Sequence, residues 1–255
     1  MPEPISAWTV PFALTLFRVG GLMLVAPLFS SRTIPLPVRA GLAFLLVLLL
    51  TPVVPVPPEG VAFGPTLIIG EIFVGLGVGL GSAVLLAGAE LAGEILAVQT
   101  GLSGATTLNP LTGVGTGVLS QLLGLFALLL LLATGAHLVL IEALVVSYES
   151  VPPGALADLE FGVVELTSMF GLLFSTGLKF AAPIIAAVSV GYLALGILAR
   201  TSPQMNMLAV AFPLQIGLGL LVLAAVLPLA ATFYSAWPDH VAGLANRFFL
   251  AVGGG

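Results

Sequence analysis

Cysteine is absent from the 255-residue chain, which removes disulfides, thiolate metal sites and cysteine nucleophiles from consideration. Charge is scarce as well: Asp, Glu, Lys and Arg together make up 7% of the residues, while hydrophobic types make up 59%. With a mean hydropathy of +1.24, this balance places the chain among integral membrane proteins, because a soluble fold of this size needs more polar surface. The net charge of -5 comes from few groups, and no basic cluster offers nucleic acid a footprint. No Lys or Arg precedes the first apolar run in MPEPISAWTV, so the basic segment of a cleaved signal peptide is missing and the first run reads as a retained helix. No His, Asp or Glu cluster has metal-ligand spacing, and no cofactor is implied.

The chain is organised around Gln99 to Gln121, QTGLSGATTLNPLTGVGTGVLSQ. From Ile95 through Ile141 the only ionisable residue is His137. Two apolar segments flank an insert of Gly, Thr, Ser, Asn and Pro. A soluble loop usually carries charge, and a lipid-facing helix would not carry five glycines and an Asn-Pro pair. The composition points to irregular backbone held at membrane depth.

At about 20 apolar residues per crossing, six hydrophobic segments are expected: Trp8 to Phe29, Val38 to Val54, Pro65 to Val98, Val118 to Tyr148, Leu166 to Leu198 and Met207 to Trp237. The third, fourth and fifth exceed one bilayer crossing and must tilt, bend or project. Pro27, Pro52, Pro183, Pro213 and Pro228 punctuate them, as neighbouring protein permits. Arg32 and Arg39 flank the first loop and Arg200 precedes the last segment, which puts these loops on the cytoplasmic side. Glu59 and the acidic stretch Glu149 to Glu165 then fall opposite, with the N-terminus outside.

Several charges stand where lipid would reject them. Arg18 is near the middle of the first segment, Lys179 is within the fifth, and Glu71, Glu90 and Glu94 lie along the third. A central charge costs about 2.5 to 3.5 kcal/mol on the milder insertion scales, so these groups should face protein, water or one another. For any one of them, a helix-end position or an internal ion pair is a sufficient explanation; five together point to helices packed against protein. The run Gly75, Gly77, Gly79, Gly81 is no nucleotide motif, since its spacing is GxGxGxG and it lies inside an apolar helix. Glycines four apart instead let helices approach closely.

Gly101-Leu102-Ser103-Gly104 is a GxSG of the kind found in rhomboid intramembrane proteases, with Ala136-His137 in the next segment. A Ser-His dyad requires hydrogen-bond reach. On an unbroken helix from Val118, His137 lies 19 residues along, or about 28 Å, and Leu140 stands where the AHxxG pattern needs glycine. A protease is therefore disfavoured, and His240 reads as a surface residue. A solute transporter is a stronger alternative, since broken helices and intramembrane acids mark such sites, although no inverted repeat is evident.

Three stretches carry a family resemblance that covers nearly the whole chain: FRVGGLMLVAPLFSSRTIPLPVRAGLAFLL (Phe17 to Leu46), AELAGEILAVQTGLS (Ala89 to Ser103) and RTSPQMNMLAVAFPLQIGLGLLVL (Arg200 to Leu223). In this order they resemble the FliR family of the flagellar type III export apparatus, with the SctT proteins of injectisomes as close relatives. The resemblance implies an all-α, polytopic membrane-protein fold in one export-gate domain over residues 1–255, its helices packed as hairpins in a hetero-oligomeric gate. It implies no enzyme and no cofactor.

Its expected partners are five FliP and four FliQ copies, FlhB at the entrance, membrane lipid and unfolded flagellar substrates. Its expected place is the flagellar basal body in the bacterial inner membrane. The family's pore-plugging loop matches Gln99 to Gln121, here Gln99, Gly101, Leu102, Ser103, Gly104, Thr106, Thr107, Leu108, Asn109, Pro110, Leu111, Thr112 and Gly113 among others. An ordinary glycine-rich turn is the alternative. Pro27, Pro35 and Arg39 match the family's first-loop pattern. Arg200, Pro203 and Asn206 match its RxxPQxN-like turn, where Pro203 would stop the fifth helix and Arg200 and Asn206 would bond its last carbonyls. An injectisome system remains the alternative to a flagellar one.

Overall fold

The computed structural model describes residues 6–30, 34–56, 64–101, 117–155, 158–201 and 207–253, and these form helices and short connections with no strand. In chain order the helices are α1 (Ser6–Val25), α2 (Pro27–Ser30), α3 (Leu36–Leu50), α4 (Pro65–Gln99), α5 (Val118–Ala133), α6 (Ala136–Ser150), α7 (Leu159–Thr201), α8 (Met207–Ser235) and α9 (Trp237–Val252). Long Leu- and Ala-rich runs favour this outcome, because a helix satisfies its own backbone groups without help from water.

The helix map differs from the six expected segments at several places. By length and composition, three of the described helices can cross a membrane, or four if α5 and α6 form one broken span. The expected single segment Val118 to Tyr148 is interrupted at Gly135, whose φ of 73° is a left-handed conformation that glycine adopts without a Cβ penalty. Helix α7 starts at Leu159 rather than Leu166, because Asp158 caps it: its Oδ1 accepts the amides of Glu160 (3.1 Å) and Phe161 (3.2 Å). Much of the expected acidic loop is thus helix. Helix α9 was not anticipated, since the sixth segment was expected to end at Trp237. Its signal is the helical spacing of Trp237, Val241, Leu244, Phe248 and Val252, all buried.

The chain divides into two compact units, each assembled from separate stretches of sequence. Unit 1 comprises Met1–Val84, Leu131–Gly171 and Trp237–Gly255. Within it α1 packs on α3, where Phe12 meets Phe44 edge-to-face at 6.0 Å, and α9 packs on α6. The glycine run of α4 serves two neighbours. Gly75 and Gly79 face α1, where a Cβ on Gly75 would overlap the Arg18 carbonyl and one on Gly79 would come within 2.9 Å of the Leu22 carbonyl. Gly77 and Gly81 face α9, against the Phe248 ring and Leu244. Residues two apart lie on nearly opposite sides of a helix, so one GxGxGxG run supplies a close-approach surface on each side.

That closeness positions a buried charge pair. Arg18 has no exposed surface. Its Nε donates to Glu71 Oε2 at 2.6 Å, its Nη1 to Ser147 Oγ at 3.0 Å and its Nη2 to the Val151 carbonyl at 2.9 Å. The guanidinium lies 4.0 Å from the centre of the Tyr148 ring. One side chain therefore ties α1 to α4 and to the end of α6.

Unit 2 comprises Leu85–Leu130 and Leu172–Ala236. Its core gathers Ala92, Leu96 and Ala97 of α4, Leu119 and Leu123 of α5, Ile184 and Val188 of α7, and Leu223 of α8. Phe180 stacks on Tyr234 at 5.6 Å, and the Tyr234 hydroxyl donates to the Leu85 carbonyl at 3.2 Å. Much of the apolar surface stays uncovered: only 28% of the most apolar window of α7 and 17% of that of α8 is buried.

Breaking the buried pair one side at a time should cost about 3–5 kcal/mol, because each single change leaves an uncompensated buried partner. Glu71→Gln and Arg18→Met should each lower the thermal unfolding temperature in detergent. The double variant Arg18→Met/Glu71→Leu should unfold at a higher temperature than either single one. The glycine assignment gives a second comparison: Gly75→Ala must push helix backbones apart, at about 1–3 kcal/mol, whereas Gly81→Ala meets Leu244 only at an ordinary contact distance of 3.5 Å. The same unfolding measurement should show Gly75→Ala as the more damaging of the two.

Candidate functional site: an insert anchored between two helices

The expected plug stretch joins α4 to α5, and the structure places its two feet. Residues Leu102, Ser103, Gly104, Thr106, Thr107, Leu108, Asn109, Pro110, Leu111, Thr112 and Gly113 lie outside the described residues. Gln99 and Gly101 lie within them, at the departing foot. There the Gln99 carbonyl accepts the Tyr192 hydroxyl of α7 at 3.0 Å, and the buried Thr100 hydroxyl donates to the Leu96 carbonyl at 2.8 Å. Thr100 also fills the space beside Gly219 of α8, where an added Cβ would overlap its Cγ2. Gly101, with φ of 76°, has the left-handed conformation that ends a helix.

The returning foot is pinned to α4. Glu94 Oε2 accepts the Gly117 amide at 3.3 Å, and the Ser120 hydroxyl donates to the Glu90 carbonyl at 2.8 Å. Gly93 permits this contact, since its Cβ position overlaps the backbone of Ser120. Gly117 precedes Val118, the first residue of α5, so the half-buried Glu94 carboxylate serves an otherwise unpaired N-terminal amide and complements the helix dipole. Glu90 is exposed, its methylene and carboxylate running beside Gly124. Both feet are thus fixed within unit 2 by groups from α4, α7 and α8.

The other expected residues distribute as follows. Arg18 and Glu71 form the buried pair of unit 1. Lys179 is exposed on α7. Pro27 opens α2, and the Pro35 carbonyl accepts the amides of Val38 (3.0 Å) and Arg39 (3.2 Å) at the start of α3. Arg39 Nη1 donates to the Ser30 carbonyl at 3.4 Å, closing the first loop. Arg200 is exposed in the last turn of α7, while Pro203 and Asn206 lie outside the described residues. At that helix end the Thr201 hydroxyl reaches the carbonyls of Ile197 (3.3 Å) and Leu198 (3.1 Å), a partner that the sequence reading did not assign.

For the dyad, the break at Gly135 places His137 half-buried in the first turn of α6, so its distance from Ser103 no longer follows from the rise of one helix. His240 is likewise half-buried rather than on the open surface. Among the described residues no three His, Asp or Glu side chains gather as metal ligands.

Long apolar helices, a buried ion pair, wide uncovered faces and an anchored polar insert define an all-α polytopic membrane protein. Residues 9–240 match the model of the bacterial export proteins, family 1. The chain belongs to that family. It is 33% identical over 233 residues to the flagellar biosynthetic protein FliR of Escherichia coli K12, covering 91% of this chain and 89% of that protein. It is 30% identical to the Bacillus subtilis FliR over 218 residues, 83% and 84% of the two chains. The secretion system apparatus protein SsaT of Salmonella typhimurium is 25% identical over 242 residues, 92% and 93% of the two.

The Glu94 anchor is testable by amide hydrogen exchange. Glu94→Leu removes the acceptor, and exchange at Gly117 should accelerate about fivefold, the equivalent of one modest hydrogen bond. Glu94→Gln retains an acceptor oxygen and should change the rate less.

Proposed function

We propose that this protein is a structural, pore-forming subunit of a flagellar type III protein export gate, through which unfolded flagellar proteins cross the inner membrane at the basal body. The observation that carries the reading is the near full-length similarity to flagellar biosynthetic FliR proteins from distant bacteria. The similarity to SsaT over 92% of the chain supports an injectisome subunit as the second reading, and its lower identity of 25% ranks it behind the flagellar one. In either system the work is to form a path, with transport energy supplied elsewhere.

Partners follow from the uncovered faces of α7 and α8, which are too apolar for water. FliP, FliQ and FlhB are the proposed neighbours, in the five-to-one and four-to-one ratios that the family resemblance implies for FliP and FliQ. The insert from Gln99 to Gln121 is proposed as the plug. Small uncharged residues can pack in a narrow lumen without burying a charge, and Leu102, Leu108 and Leu111 can supply apolar seals. Feet held by Tyr192 and Glu94 suit such an element, since a plug closes the same place each time only if its ends stay fixed. Arg18, Glu71, Glu90, Glu94 and Lys179 are proposed as contact charges within and between subunits, and Pro27, Pro35, Arg39, Arg200, Pro203 and Asn206 as residues that shape the turns.

The experiment is deletion of Leu102 to Thr116 in the assembled gate. Cells or vesicles carrying the shortened protein should leak small ions or solutes while the complex still assembles. Unchanged conductance with normal assembly would remove the plug assignment and leave the subunit assignment standing.

A further inference from the structure

Lys179 is the sole lysine of the chain, and it stands 20 residues into the 43-residue helix α7. The helix continues for about 30 Å on either side of it. Among the described residues it makes no ion pair, and it is exposed on a stretch of helix whose neighbouring face exposes Phe174 and Leu178. An isolated ammonium on an apolar helix is unfavourable in lipid, so such groups are found facing protein or water and paired.

A second, independent feature lies at the same place. Pro183 is inside α7 and has no N–H, so the carbonyl of Lys179, four residues earlier, lacks its usual intrahelical donor. Position 179 therefore presents an unpaired cation and an under-satisfied carbonyl on one exposed stretch of helix. Ala182, Pro183 and Ala186 continue that stretch, and small residues there let another helix backbone come close. Lipid tails can satisfy neither polar group.

We infer that Lys179 marks a docking surface on α7 for a helix of a partner membrane protein that presents an Asp or Glu carboxylate to its ammonium. The inference rests on the reading of this chain as one subunit of a membrane assembly, and it adds the chemistry of the contact. Charge complementarity selects the carboxylate, and the low relief beyond Lys179 selects a helix as its carrier. A headgroup phosphate could also meet the ammonium, since either half of the helix is long enough to span the hydrocarbon. The small exposed residues Ala182, Pro183 and Ala186 beside Lys179 favour a close-packed helix instead, and a crosslink to lipid alone decides for the headgroup.

The test uses the complete assembly purified from native membranes through a tag on this chain. Lys179→Arg should assemble as wild type does. Lys179→Glu should lower recovered complex at least about tenfold, a change of about 1.4 kcal/mol or more, and a carboxylate-to-lysine change in the partner should restore it. Because Lys179→Glu could fail to fold, Ala182→p-benzoylphenylalanine supplies a readout that leaves Lys179 in place. Its photocrosslink should map to a partner helix within one turn of an Asp or Glu. Wild-type recovery of the Lys179→Glu complex, a crosslink only to lipid, or a crosslink to a segment without a carboxylate would each overturn the inference. These results leave the subunit reading intact, which fails instead if the wild-type chain leaves the membrane with no partner protein.

Discussion

A guanidinium sealed from solvent is tolerable only if its donors are met, and unit 1 is arranged around meeting those of Arg18. Glu71 neutralises it, Ser147 and the Val151 carbonyl take two further bonds, and Tyr148 covers its face. These partners come from α4, α6 and the residue after α6, so the charge can be buried only when those elements have assembled about α1. A network of this kind contributes less to net stability than to uniqueness, since an apolar replacement could pack equally well but would not demand the same partners. The glycines of α4 are the other half of the constraint. Only with Gly75 against the Arg18 backbone do α1 and α4 come near enough for a bond of 2.6 Å one turn away at Glu71.

The sequence announced some of this and concealed the rest for physical reasons. Charges at Arg18 and Glu71 were conspicuous because an apolar run makes any charge stand out. That these two find each other depends on tertiary packing, which spacing along one chain cannot report. The glycine run announced close approach, yet its division between α1 and α9 required knowledge of α9. That helix was hidden because its amphipathic pattern follows directly on an apolar segment and has too little hydropathy to be read as a span. The break at Gly135 was hidden in the opposite way, by apolar residues so continuous on either side that a single glycine carried no weight.

The insert shows a similar division. Its composition marked it out, and nothing in its own residues revealed how it is held. Gln99 contributes a carbonyl rather than its side chain, and the group that reaches that carbonyl, Tyr192, lies far along the chain in α7. Glu94 was noticed as a misplaced charge, and the structure gives that charge a local task at Gly117. An intramembrane acid need not signal transport or catalysis when a helix start lies within reach and offers unpaired amides.

The charges noted within the apolar segments are handled in two ways. In unit 1 Arg18 and Glu71 are sealed and paired, which commits the chain to one internal arrangement. In unit 2 Glu90 and Lys179 are exposed, and the large apolar faces of α7 and α8 stay open. A chain that stood alone in lipid would gain by pairing or removing such charges, because each carries an insertion cost that apolar residues avoid. Their presence on uncovered helices is therefore more economically explained by protein neighbours than by lipid. Neither unit is a bundle of independent spans: each has a buried core, and each leaves large apolar residues open, among them Leu36, Leu45 and Leu49 of α3 in unit 1 and Leu193, Leu221 and Leu229 of α7 and α8 in unit 2.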